Sequence, residues 1–221
     1  LGFYPYQLPP YYNGVTRTAD PGLRFDSPGI AYTPEPPTWV AAAIGSSSLR
    51  VTLELHAARV QGQRWARILT LSRDSHNSNL SLTQDGHDLI VQLRGPESNH
   101  RGRARYVIDD VFTQSGWHRI ELEVLPQRLT VTVDDREVLR QKLARAPFSN
   151  WSSEYRLALG NALGFNRPWL GEVRKAIVLV TDGLDNHSEL PMLKAVCLDR
   201  RVRVAIYTLG FLPMREKLLP R

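Results

Sequence analysis

Two carboxylates stand two residues apart in Trp117-His118-Arg119-Ile120-Glu121-Leu122-Glu123-Val124. On an extended chain that spacing sends Glu121 and Glu123 to one side. Paired carboxylates at suitable separation are what hydrolysis of a glycosidic bond requires. The same run alternates polar and apolar residues, so the pair also reads as the wet face of an amphipathic strand, and no enzyme is expected. Other residues suggest binding. Asp74, Asp85 and Asp88, with Asn77, offer the oxygens that Ca²⁺ takes at a rim, although a turn-forming Asp explains Asp85 without a metal. Trp65, Trp117 and Trp169 could stack on sugar rings. Trp117 and Trp169 are expected in a core, and Trp65, beside Gln61-Gly62-Gln63, at the surface.

Other chemistries lack their residues. No Ser/His/Asp order, Gly-rich phosphate loop or HExxH pattern occurs, and the six histidines are scattered. Cys197 is the single cysteine, so no disulfide closes within the chain, and no Cys/His cluster has zinc spacing. No cofactor is expected, and the rim oxygens named above suit calcium. The net charge of +6 gives a mild attraction to phosphate or acidic glycan. Its densest runs, His100-Arg101-Gly102-Arg103-Ala104-Arg105 and Arg200-Arg201-Val202-Arg203, lack interleaved aromatics and read as solvated loops, with no nucleic-acid partner. No 18 consecutive apolar residues form a membrane span.

Strands must position these residues. Leu49, Val51, Leu53 and Leu55 alternate with Arg50, Thr52, Glu54 and His56, which is the period of a half-buried strand. Further strands read at 66–72, 79–84 and 87–93, the last two joined by Asp85-Gly86, a strong hairpin signal. Others read at 117–124, 129–133, 137–139, 155–160 and 170–178, with short ones at 23–25 and 30–32. Thr38 to Ile44 reads as a short helix capped by Thr38 and ended by Gly45. Many short strands with few helices imply a two-layer antiparallel β-sandwich. An extended Pro/Tyr-rich arm occupies 1–21, the sandwich 22–180, and a C-terminal tail 181–221, with a helix at 190–198 and a strand within 202–209.

Taken in order, Ala66-Arg67-Ile68-Leu69-Thr70-Leu71-Ser72, Leu80-Ser81-Leu82-Thr83-Gln84-Asp85-Gly86, Trp117-His118-Arg119-Ile120, Leu129-Thr130-Val131-Thr132-Val133-Asp134 and Pro168-Trp169-Leu170-Gly171-Glu172 resemble laminin-G-like domains of the concanavalin A superfamily. Tyr4-Pro5-Tyr6-Gln7-Leu8-Pro9-Pro10 and Leu209-Gly210-Phe211-Leu212-Pro213 look like the flanks of such a domain in VanZ-like bacterial membrane proteins. The resemblance implies a jelly-roll sandwich held outside the cytoplasm, attached to a membrane by segments beyond this chain. It would bind carbohydrate or cell-envelope polymer without catalysis. Trp65, Asn77, Asn79 and Asp85 are the candidate ligand-binding residues. Glucanases of this fold are similar to one another in a Glu-x-Asp-x-Glu strand motif, and no Asp completes it beside Glu121 and Glu123.

An alternative comes from Lys175 to Gly183 and Val202 to Gly210, which resemble two late strands of von Willebrand factor A domains. That likeness implies a doubly wound fold and a Mg²⁺ site using Asp182 and Asp74-Ser75-His76-Asn77-Ser78, with His76 where a serine belongs.

Overall fold

The computed structural model describes residues 15–18, 22–96, 98, 104–113, 116–180 and 205–209. In chain order these hold β1 (Val15–Arg17), β2 (Leu23–Phe25), β3 (Ala31–Tyr32), α1 (Trp39–Ser46), β4 (Leu49–Ala57), β5 (Ala66–Ser72) and β6 (Ser78–Asp85). Then come β7 (Asp88–Leu93), β8 (Ala104–Ile108), β9 (Trp117–Leu125), β10 (Arg128–Val133), β11 (Arg136–Lys142), β12 (Arg156–Leu159), β13 (Gly171–Val180) and β14 (Ala205–Leu209).

Two antiparallel sheets face each other. One has eight strands in the order β1-β2-β13-β4-β9-β10-β11, with β14 also on β13. The other has six in the order β3-β12-β5-β6-β7-β8. Alternation decides which side chains meet between them. Leu49, Val51, Leu53 and Leu55 of β4 and Ile120, Leu122 and Val124 of β9 face Leu69, Leu71, Leu80, Leu82, Val91 and Leu93 in one core. The antiparallel sandwich expected from the period is therefore the fold. The von Willebrand alternative fails here, because its doubly wound fold needs parallel strands and every described pairing is antiparallel.

Three details depart from the sequence reading. Helix α1 runs through Gly45 and ends at Ser47 in the left-handed region. Thr38 is its N-cap residue but makes no side-chain capping bond. Burial of Trp39, Val40 and Ala43 holds the helix instead. Ala104 and Arg105, read as the end of a basic loop, begin the edge strand β8, which pairs with β7 from Leu89↔Ile108 to Leu93↔Ala104. Trp117 is 39% exposed rather than in the core. The pattern that turns Ile120, Leu122 and Val124 inward sends Trp117 outward and turns His118 in, where its Nδ1 lies 2.8 Å from Asp134.

Trp169 does fill the core. Its ring meets the edge of Phe25 at 5.9 Å, and its N–H donates to the buried Gln84 side chain at 2.8 Å. Gln63 ties the same corner together, donating to the Leu170 carbonyl and accepting from the Leu170 N–H. Among the described residues no helix is long and apolar enough to cross a membrane. The arm at 1–10, the tail helix at 190–198, Asp182, Cys197, Arg200 to Arg203 and the segment 210–213 lie outside the described residues.

Candidate functional site

The outer face of the six-stranded sheet carries the polar side chains that the core rejects. Register places one row across it: Tyr32, Ala158, Thr70, Ser81, Gln92 and Arg105 are successive partners on neighbouring strands. Large residues stand at the ends and small ones between them. Five strand spacings make the row about 24 Å long.

Arg67 on β5 is the hub of this face. It is 5% exposed. Its Nη1 donates to Ser81 Oγ at 3.0 Å, to Gln92 Oε1 at 2.7 Å and to Thr83 Oγ1. Ser81 Oγ also donates to Gln92 Oε1, at 3.2 Å. The guanidinium thus reaches across β6 to β7 and fixes two hydroxyls and an amide in one arrangement. Such a buried polar network specifies its geometry when its members are satisfied.

Trp65, two residues earlier, crosses the same face. It enters β5 with φ of 54°, in the left-handed region that bulky side chains avoid. Its half-buried indole meets Arg105 of β8, the guanidinium carbon lying 4.4 Å from the ring centroid. At the opposite edge Arg156 lies 5.5 Å over the Tyr32 ring. Between Arg156 and β6, Ser72 and Ser78 are buried register partners whose hydroxyls have no hydrogen-bond partner among the described residues.

The four binding candidates from the sequence divide between the two ends of β6, roughly 25 Å apart by strand rise. Trp65 and Asp85 are at one end, where Asp85 lies 3.9 Å from Arg64. Asn77 and Asn79 are at the other. Asn79 is fully buried and braces the chain after Trp151, donating to the Ser152 carbonyl at 2.7 Å and accepting from the Ser152 N–H at 3.1 Å. Asn77 donates to Asp74 at 2.9 Å inside the β5–β6 turn.

The calcium candidates divide likewise. Asp74 is occupied within its turn, accepting from the backbone N–H groups of His76 and Asn77, each at 2.8 Å. Burial alone would raise its carboxyl. Hydrogen bonds from Asn77, from the His76 backbone and from Arg73 outweigh that and hold it at about 2. Asp85 and Asp88 face each other across the β6–β7 hairpin, and Asp88 accepts from the Asp110 N–H at 3.1 Å. Among the described residues no three His, Cys, Asp or Glu side chains gather as a metal site would require.

The outer face of the eight-stranded sheet is different in kind. Glu121 and Glu123 lie on it, Glu121 bound to Arg119 and Glu123 between Arg50 and Arg128. Glu54 lies between Arg174 and Lys175. Burial pushes Glu54 up, but those two cations outweigh it and keep the carboxyl below its ordinary value. Arg174 also lies 4.4 Å over the exposed Trp117 ring. Each of these three glutamates thus lies against a cation of its own sheet.

The residues that organise the candidate face, Arg67, Arg105, Gln92 and Tyr32, were not singled out from the sequence as binding residues. One signal was present for Arg67: an arginine inside the apolar run Ala66-Arg67-Ile68-Leu69-Thr70-Leu71 must be buried with partners or break the strand.

No family model matches the chain, and no curated protein matches it. Solved structures do match. The binding domain of botulinum neurotoxin serotype D superposes with a TM-score of 0.55 at 9% identity, over 76% of this chain and 42% of that one. The receptor-binding domain of the C/D mosaic serotype gives 0.54 at 8%, over 76% and 41%. A serotype D ligand-binding domain in complex with N-acetylneuraminic acid gives 0.52 at 9%, over 75% and 40%. The chain spans about two fifths of the length of each. At such identity the likeness concerns the fold: the same sandwich is built from a different sequence.

Proposed function

We propose that this protein is a non-catalytic carbohydrate-binding module that takes its ligand at the β8 edge of the six-stranded sheet, where Arg105 is exposed and Trp65 half-buried. The observation that carries this reading is the exposed Arg105 stacked on the half-buried Trp65 ring, beside the buried Arg67 network that fixes the neighbouring strands. Sugars present both hydroxyls and an apolar C–H face. A guanidinium with outward donors beside an indole answers both.

The fold likeness supports the reading. Domains of this shape include a receptor-binding one and a ligand-binding one solved with N-acetylneuraminic acid. The ion pairing of Glu121 and Glu123 supports binding without hydrolysis. The neutralised arginines of the eight-stranded sheet weigh against a nucleic-acid surface. The resemblance to domains of VanZ-like membrane proteins supports a position outside the cytoplasm, tethered by segments beyond this chain, with a cell-envelope polymer as ligand.

The test is a titration of the chain against a panel of neutral and acidic oligosaccharides, with reducing-end release measured in parallel. Saturable binding that weakens on the order of tenfold in Trp65→Ala, the loss of one stacking platform, is the expected result. Binding that is indifferent to Trp65, or release of reducing ends, overturns it.

A further inference from the structure

Among the described residues β11 is the longest strand bonded on one side alone. Six of its seven residues, Arg136 to Lys142, are exposed. Its inner side pairs with β10 from Arg128↔Lys142 to Val133↔Arg136. The pairing runs on past the strand, where the Leu143 N–H donates to the Gln127 carbonyl at 3.1 Å and the Gln127 N–H to the Ala144 carbonyl at 3.2 Å. No described strand bonds the outer side. Every second residue there directs an N–H and a C=O away from the sheet. An edge already held extended requires only its partner to become ordered.

The side chains along this edge select by charge. Arg136, Lys142 and, just beyond, Arg145 are exposed cations with no ion-pair partner among the described residues. Glu137, the one carboxylate on the strand, is already bonded to Arg140. A second copy laid antiparallel about Leu139 would set Arg136 against Lys142 at both ends, and like charges directly opposite are destabilising. Cations on an open edge are a common bar to such self-pairing. An acidic strand turns the same positions into attractions. Leu139 supplies an apolar point between them, half-buried and packed against the core. Val138, 37% exposed, is the extra residue of a bulge between Val131↔Leu139 and Thr132↔Glu137. It leaves Leu139 to Lys142 as the regular stretch of ladder.

We propose that β11 docks a protein partner, an extended acidic segment that joins the eight-stranded sheet as a further antiparallel strand. The segment places an apolar residue opposite Leu139 and carboxylates opposite Lys142 and Arg136. Main-chain hydrogen bonds supply affinity, and the charges and the apolar contact supply specificity. β8 belongs to the other sheet, so this edge shares no residue with the carbohydrate site, and the proposal does not rest on that site.

The experiment titrates the full chain with short labelled peptides, followed by fluorescence anisotropy. The first is a threonine strand with a central valine and a glutamate three residues to either side. The second carries lysines for the glutamates. The third keeps the glutamates and has prolines flanking the valine, which removes donors and bars strand pairing. The first is expected to bind saturably, on the order of tenfold more tightly than either of the others. Arg136→Glu and Lys142→Glu should each remove most of that preference without moving the thermal midpoint. Arg64→Glu, the same charge change in the exposed loop before β5, should leave it unchanged. Absence of saturable binding by the first peptide overturns the proposal, as does equal binding of the lysine peptide. Equal binding of the proline peptide, or a preference lost equally in Arg64→Glu, is attraction to charge without strand pairing, and overturns it too. A dimer in sedimentation that Val138→Lys dissolves gives the edge to a second copy, with the same consequence.

Discussion

A β-carbon on Gly171 would fall 2.4 Å from two ring carbons of Trp169, so this glycine is what lets the indole lie where its N–H reaches Gln84. The contact joins the start of β13 to the end of β6, and so joins the two sheets. Gly160 serves the same cluster, with φ of +79° and the Phe25 ring 2.2 Å from an added β-carbon.

Gly171→Ala is therefore expected to destabilise the fold by about 1–3 kcal/mol, the usual cost of overpacking a rigid core. The check is the urea midpoint at an unchanged slope. Gly45→Ala is the control, because nothing lies within 4 Å of a β-carbon there. Equal midpoints for the two variants would contradict the packing described.

Arg67→Met should cost about 2–4 kcal/mol, because Ser81, Thr83 and Gln92 lose a shared donor while remaining buried. Arg50→Met removes an exposed ion pair with Glu123 and should cost about 0–1 kcal/mol. Thermal unfolding of the two variants separates a buried hub from a surface pair.

Exchanging tryptophans tests which face each one serves. Trp169→Ala should cost about 3–5 kcal/mol. Trp117→Ala, at an exposed position, should stay within about 1 kcal/mol of the parent. Near-ultraviolet circular dichroism should fall sharply with the first and little with the second.

Acid titration should show the Asp74 turn. The folded carboxyl sits at about 2, below its ordinary 3.8, so folding favours the charged form. That contribution is complete above 3.8 and is lost as the pH falls towards 2. Asp74 is more than a third exposed, so the effect is no more than about 1 kcal/mol. Asp74→Ala should flatten the stability profile across that window and leave it unchanged at neutral pH apart from a constant offset.

The strands that became the sandwich were legible because one side of each is wet or polar. Leu49 to His56 and Trp117 to Val124 alternate, and nothing else satisfies a period of two. The same rule places Trp117 outside, against the general preference of aromatics for cores. The six-stranded sheet was harder to read. Both its faces are closed, so β5 and β6 are buried throughout and alternation marks chemistry instead of exposure. The row from Tyr32 to Arg105 could not be seen at all, because it depends on register among five other strands and on the bulges that shift β5 against β6. The surroundings of Asn79 are hidden in the sequence for a related reason. An asparagine beside a turn looks like a free ligand until the strand that approaches it, here the chain at Ser152, is known.

Strand β13 bonds β4 along one side and divides its other side between two short strands, β2 against Gly171 to Val173 and β14 against Ala176 to Val180. Leu23 and Leu209 are therefore held against positions of one strand that are three residues apart. Removing β14 would therefore strip the backbone of Ala176 to Val180 and leave half of the length of β13 as a bare sheet edge, open to pairing with another chain.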